Sequence, residues 1–297
     1  MSRVIVTGAT GGFGAPTVAR LRERGARVVG LDRVRGEHVL VCDVTDDVGV
    51  ETAVAEAVDR LGGLDAVVHY AGIGIPNDAG GPLHPDAYRV IDVNLLGAWR
   101  VTAAAMPALL AGRADRADRA DRTDRADRAD RGDRGGKGRL VFVASELAYI
   151  TAPFVSAYSV AKRGMSAYAD ALRIEYGSEL YVTTVYPGYV RTPIHDAGRA
   201  VGLSLAGHVR REEVGDIVGT VLRALTARKP PRDTAATRAG QVELWVGRHV
   251  PGIVQAAVAR RLRVRAAQGH FDGSPLASGL GRRLAGRDTS RSGGSTP

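Results

Sequence analysis

The first fourteen residues constrain the fold more than any other stretch. Val4-Ile-Val6 is a short apolar run of β-branched residues, and Thr7-Gly-Ala-Thr-Gly-Gly-Phe-Gly14 follows at once. A helical pattern then runs from Ala15 to Arg24, with Pro16 in the first turn, where its missing N–H is tolerated. Strand, glycine-rich turn and helix in that order are the opening of a parallel βαβ unit. Glycines let the backbone approach a pyrophosphate, and the helix N-terminus supplies amide donors and a favourable dipole. Gly8, Thr10, Gly11, Gly12, Phe13 and Gly14 are therefore the candidate phosphate cradle.

The alternation continues along the chain. Ala26–Leu31 is a second strand ending in Asp32, about twenty residues after the glycines, where an acid can accept both ribose hydroxyls and repel a 2′-phosphate. Arg33 beside it softens that repulsion, so NAD is favoured and NADP is not excluded. Val39–Cys42 is a third strand, closed by Asp43 and Val44; a helix spans Asp47–Leu61. Leu64–His69 is a fourth strand running into Tyr70-Ala71-Gly72, small residues that allow a ligand close. His69 reads as a packed strand-end residue. Pro85–Ala111 is one long helix with Asn94 inside it. A fifth strand, Leu140–Ala144, delivers Ser145, and a helix covers Ala157–Tyr176. The sixth, Tyr181–Tyr186, leads to Pro187-Gly188, Val190 and Thr192. Gly198–His208 reads as a glycine-rich lid, Glu212–Thr226 as a helix, Val242–Val246 as the seventh strand and Ile253–Arg265 as a basic amphipathic helix. From Gly269 the Gly/Ser/Arg content suggests disorder.

Such alternation predicts an α/β fold: a doubly wound, Rossmann-type parallel sheet of about seven strands with helices on both faces. Ligands in such sheets sit outside the carboxyl ends of the strands, where the glycine loop, Asp32, Asp43, Ala71-Gly72, Ser145 and Pro187-Gly188 all fall. The expected organisation is one NAD(P)-binding domain over residues 1–250 carrying the catalytic site, and a basic tail over 251–297. A three-residue Ala-Asp-Arg repeat interrupts the domain at 113–136; with nothing apolar larger than alanine from Arg113 to Arg134 it cannot build a core, so it is expected to extend the preceding helix and lapse into a loop. The net charge of +9 is uneven, since from Val250 onward eight arginines face two aspartates. Basicity therefore describes the tail rather than the fold, and no specific nucleic-acid site is implied. The seven histidines show no metal-ligand spacing, and Cys42 is the single cysteine, which fits a reducing, cytoplasmic setting; no apolar run approaches the length of a membrane span and no signal peptide precedes the first strand.

The chemistry lies between Ser145 and Lys162. Tyr158 follows Ser145 by thirteen residues, and Lys162 lies four residues further, on the same face of a helix. An ammonium there favours the phenolate, bringing a tyrosine of ordinary pKa about 10 towards neutrality. Only three of 41 cationic side chains are lysines (Lys137, Lys162, Lys229), so a lysine rather than an arginine at 162 points to a need for a compact ammonium. Tyr158 is the candidate general acid/base, and Ser145 is free to hold a substrate oxygen. Between them, Leu147, Tyr149, Ile150, Pro153 and Phe154 make an apolar wall suited to a hydrophobic substrate.

Thr7-Gly8-x-x-x-Gly12-x-Gly14, Asp43-Val44, Ala71-Gly72, Asn94, Ser145, Tyr158-x-x-x-Lys162 and Pro187-Gly188 with Thr192 together resemble the short-chain dehydrogenase/reductase family over roughly residues 1–250. The resemblance implies an NAD(P)-dependent oxidoreductase that interconverts a secondary alcohol and a ketone, as a homodimer or homotetramer. It implies that Lys162 also binds the nicotinamide ribose and that Asn94 orders a water relay to the lysine. Asp43 and Val44 would frame the adenine, and Val190 and Thr192 would face the carboxamide. One departure is His69-Tyr70-Ala71-Gly72 where the family has Asn-Asn-Ala-Gly. Two other readings stay open. The loop also satisfies Thr7-Gly8-x-x-Gly11-x-x-Gly14, the spacing of the sugar-nucleotide epimerase and dehydratase branch, and a catalytically silent NAD-binding sensor would carry the same cradle.

Overall fold

The computed structural model describes residues 2–112, 136–203 and 211–284. The Arg/Asp repeat from 113 to 135 and residues 285–297 lie outside the described residues.

Seven strands, among the described residues, make one parallel sheet in the order β3-β2-β1-β4-β5-β6-β7. They are β1 (Arg3–Thr7), β2 (Arg27–Asp32), β3 (Val39–Val41), β4 (Ala66–His69), β5 (Gly138–Val143), β6 (Leu180–Val185) and β7 (Asp233–Thr234). The order reverses between β1 and β4, which opens a crevice beyond their carboxyl ends. Thr7, His69, Val143 and Val185 all end on that edge.

Period-two alternation sorts the strand side chains into two cores. Ile5, Val67, Leu140 and Phe142 face one layer, with helices α2 (Asp47–Leu61), α4 (Gly97–Ala111) and α5 (Ser156–Tyr176). Val4, Val6, Val68, Val141 and Val143 face the other, with α1 (Gly14–Glu23) and α7 (Val214–Thr226). Each of these side chains, removed from water, contributes roughly 1.5–3 kcal/mol. This doubly wound architecture is the one the alternation predicts.

The helix expected from Pro85 to Ala111 is continuous but not uniform. An α-helical start, α3 (Pro85–Ile91), passes through a π turn at Asp92–Leu96 before α4 begins. Asn94 sits in that turn, donating from Nδ2 to Ile73 O at 2.8 Å and to Val90 O at 2.7 Å. By length and composition this helix could cross a membrane. Here Val90, Asn94, Val101, Ala105 and Leu109 are all fully buried in the protein.

The seventh strand is not where alternating Val242, Leu244 and Val246 suggested. Those residues belong to a helix, α8 (Arg238–His249), while Asp233 and Thr234 pair with Thr184 and Val185. The buried face of α8 is Gly240, Leu244 and Gly247, at helical spacing, and Val242 and Trp245 point outward. Glycines leave no hydrophobic mark on a sequence, so the pattern looked period-two. Ion pairs rather than apolar burial fix β7: Asp233 is held by Arg248 at 2.7 Å and Arg173 at 3.3 Å, and Arg173 Nη2 also donates to Thr184 Oγ1.

Two further differences bear on the site. Asp196–Ala200, which overlaps the start of the expected lid Gly198–His208, is a short helix, α6; residues 204–210 lie outside the described ones. The basic helix α9 (Pro251–Ala267) forms, but only Ala266 is buried along it. Gly269 to Leu284, expected to be unstructured, turns and closes with a last helix, α10 (Ser278–Leu284). Phe271 and Ala277 from this stretch are buried against Phe154 and Ala266.

Candidate active site

The cradle is built from backbone. Gly8 adopts φ +65°, a left-handed conformation that ordinary side chains rarely take, and a Cβ there would lie 2.8 Å from Ala71 N. At Gly14 the constraint is harder, because a Cβ would fall 2.0 Å from Gly8 O and 2.8 Å from Ala9 Cα. A Cβ at Gly12 would meet the Thr192 methyl at 2.8 Å, which brings the loop against the sixth-strand segment. Asp32 reaches back to the loop: Oδ2 accepts from Thr10 N at 2.9 Å and Oδ1 from Val34 N at 3.1 Å. Thr7 Oγ1 accepts from Ala71 N at 3.1 Å, closing the crevice floor at Ala71-Gly72.

Gly8, Thr10, Gly11, Gly12, Phe13, Gly14, Asp32, Arg33, Asp43, Val44, Ala71 and Gly72 all line one groove of about 480 Å³. Burial alone would raise the Asp43 carboxyl. Hydrogen bonds from Thr45 N and Oγ1 and the charges of Arg33 and Arg89 outweigh it and hold the carboxyl below the ordinary range. The groove fits an elongated dinucleotide: backbone amides at one end, an acid at the end of β2, and apolar Val44 and Ile73 along its wall. Gly14→Ala is expected to abolish dinucleotide binding by displacing this loop, measured by calorimetry; unchanged affinity would show that the loop does not form the cradle.

The groove opens into a second pocket lined by Ser145, Tyr158, Pro187, Gly188, Val190 and Thr192. Phe13 and Thr192 line both. Ser145, at the end of β5, is buried; its Oγ accepts from Leu147 N at 3.1 Å, and its hydroxyl acts to lower the Tyr158 phenol pKa. Glu212, a buried carboxylate just ahead of α7, accepts from Gly188 N at 2.9 Å and Thr237 Oγ1 at 3.0 Å. It thereby ties the Pro187-Gly188 turn to α8.

Lys162 lines neither cavity; it is buried, 3% exposed, with Nζ donating to Val143 O at 2.9 Å. Nζ is 5.7 Å from the Tyr158 ring centroid. Burial lowers this ammonium to about 8 and pushes the Tyr158 phenol up to about 12, an upward shift the Ser145 hydrogen bond partly offsets. The expectation that the lysine draws the tyrosine down is thus not met in this arrangement: desolvation dominates, and the ammonium is engaged by a carbonyl. Asn94 is fully buried with Oδ1 unpartnered; that oxygen would be 2.5 Å from a Cβ at Gly72. His69 is a packed residue as expected, bonded to Thr102 Oγ1 at 3.0 Å and stacked on Phe142, with burial lowering its pKa to about 3. Among the described residues no cluster of metal-ligating side chains occurs.

The third wall of the pocket escaped the sequence reading. Arg265, His270 and Phe271 line it, from a region assigned to a tail. One signal was available: Phe271 is one of only four phenylalanines, isolated in Gly/Ser/Arg-rich sequence.

A family model described as short chain dehydrogenase matches residues 2–117 and 129–200. The chain belongs to the short-chain dehydrogenase family. Among curated members it is 25% identical over 199 residues to a 3-ketodihydrosphingosine reductase of Bacteroides thetaiotaomicron, covering 65% of this chain and 65% of that protein. In fold, this family member resembles a short-chain dehydrogenase from Burkholderia cenocepacia in complex with NADP (TM-score 0.66, 22% identity, 87% of this chain and 99% of that one). It also resembles a 3-ketoacyl-(acyl-carrier-protein) reductase from Brucella melitensis complexed with NADH (TM-score 0.63, 22% identity, 80% and 98%).

Proposed function

We propose that this short-chain dehydrogenase is an NAD(P)-dependent oxidoreductase that interconverts a secondary alcohol and a ketone on a hydrophobic small molecule. The observation that carries it is the meeting of the glycine cradle with the Ser145–Tyr158 pair across shared residues Phe13 and Thr192. A bound nicotinamide supplies the hydride acceptor or donor. The protein's part is to hold and move the proton. Ser145 positions the substrate oxygen, and Tyr158, protonated at neutral pH, donates to a carbonyl oxygen or, once deprotonated, receives the carbinol proton. Lys162 fixes a positive charge 5.7 Å from the centre of the phenol ring, and Asn94 offers a buried acceptor against Gly72. The wall of Leu147, Pro153 and Phe154 excludes water from the reacting oxygen.

Asp32 favours NAD, because its carboxylate stands at the end of β2 while Arg33 is turned towards Asp43, 4.0 Å away. Asp32→Ala is expected to weaken NAD by about tenfold and NADP far less. An equal loss for both would remove the specificity argument. Nicotinamide reduction with a panel of secondary alcohols and both cofactors tests the activity; tight cofactor binding without turnover on any alcohol would favour a silent sensor.

A further inference from the structure

We propose that the C-terminal hairpin of α9 and α10 is part of the substrate site and that Phe271 is its specificity-determining residue, limiting how much apolar bulk the substrate carries beyond its carbinol carbon. This rests on the oxidoreductase reading and deepens it.

The local sequence explains how Phe271 arrives. Gly269, at φ +73°, ends α9 in a left-handed cap, with its N–H donating to Ala266 O at 3.0 Å and His270 N donating to Arg265 O at 3.0 Å. The chain reverses there, and Phe271 becomes 4% exposed, its ring centroid 6.2 Å from that of Phe154. Leu203, Leu262, Leu276, Leu280 and Leu284 pack around this pair, so the hairpin is pinned to the body through the pocket's own wall.

Phe154 is itself held in an unusual state. Its φ is +62°, a conformation a bulky residue adopts only when its surroundings enforce it. Phe154 O accepts from Asn77 N at 2.9 Å, and Asn77 Oδ1 accepts from Ala157 N at 3.1 Å, one residue before Tyr158. The backbone is thus fixed on both sides of the ring, aiming it at Phe271 and leaving it little freedom to yield to a larger ligand. The two rings form a paired aromatic roof on the same pocket that holds Ser145 and Tyr158. Phe271 makes no hydrogen bond that a catalytic step could use, so its effect falls on fit.

The test uses the purified full chain as wild type, Phe271→Ala and Leu280→Ala, with 2-pentanol and 1-(2-naphthyl)ethanol as probes. Calorimetric affinity and steady-state kinetics are both read. Phe271→Ala should raise Kd and KM for 2-pentanol about tenfold with kcat little changed, and shift preference towards the naphthyl alcohol by at least about tenfold. Leu280→Ala, which loosens the hairpin without lining the pocket, should leave that preference unchanged. If Phe271→Ala does not fold, Phe271→Leu reads the same ratio. An unchanged preference in the Phe271 variant, or an equal shift in Leu280→Ala, overturns the inference while the oxidoreductase reading stands. Wild type that binds neither alcohol overturns both.

Discussion

Tyr158→Phe is expected to lower turnover by at least about 100-fold, the usual contribution of a positioned acid/base, with dinucleotide affinity almost unchanged. The phenol shares the pocket wall with Ser145, and the ring, which phenylalanine keeps, supplies the packing. The loss should fall on kcat for both directions of reaction, because the same oxygen gives and takes the proton. Turnover within about threefold of wild type would remove Tyr158 from the mechanism. Burial at about 12 sets the sign of the pH effect: the proton-donating form prevails at neutral pH, and alcohol oxidation, which needs the deprotonated form, should rise with pH faster than ketone reduction.

Lys162→Met should separate activity from stability in opposite directions. An ammonium buried to 3% exposure costs free energy that methionine, of similar length and apolar, does not. Because burial lowers the folded-state pKa to about 8, the unfolded chain binds more protons than the native one between there and the ordinary lysine value. Stability therefore rises with pH through that window, and the penalty is fully present below it. At neutral pH the variant should gain on the order of 2 kcal/mol after the lost bond to Val143 O is subtracted, with the gain fading as pH rises. Turnover should fall by about 100-fold or more, since the positive charge near the phenol is gone. Denaturant melts at several pH values, paired with kinetics, check both arms. A variant less stable than wild type at neutral pH would show that the hydrogen bond outweighs the desolvation cost.

Much of the fold was legible because its signals are local. β1, the glycine turn and α1 announce themselves through apolar β-branched residues, punctuation and helical period, and the same holds for β4 and β5. The glycine loop, Asp32, Asp43, Ala71-Gly72, Ser145 and Pro187-Gly188 were readable together because each follows a strand's carboxyl end, and the sheet brings those ends to one edge. What was illegible depends on partners distant in sequence. The position of β7 is set by Arg173 and Arg248 gripping Asp233, which no window of sequence displays. The buried face of α8 is largely glycine, silent in any hydrophobicity pattern. The Tyr158 and Lys162 spacing was readable, but whether attraction or desolvation rules their protonation depends on Val143 O and on how deep both groups lie. Phe271 was overlooked because arginines and glycines around it read as solvated chain, whereas Phe154 and the leucines of the hairpin provide its burial.

The most direct test of the account is the fate of the hydrogen on the carbinol carbon. Secondary alcohols deuterated at that carbon, offered with NAD or NADP to wild type and to Tyr158→Phe, would be followed by mass spectrometry of the recovered dinucleotide. Deuterium is expected in the dinucleotide from wild type with at least one apolar alcohol, and almost none from the variant. Tight dinucleotide binding by wild type with no deuterium transfer from any alcohol would contradict it.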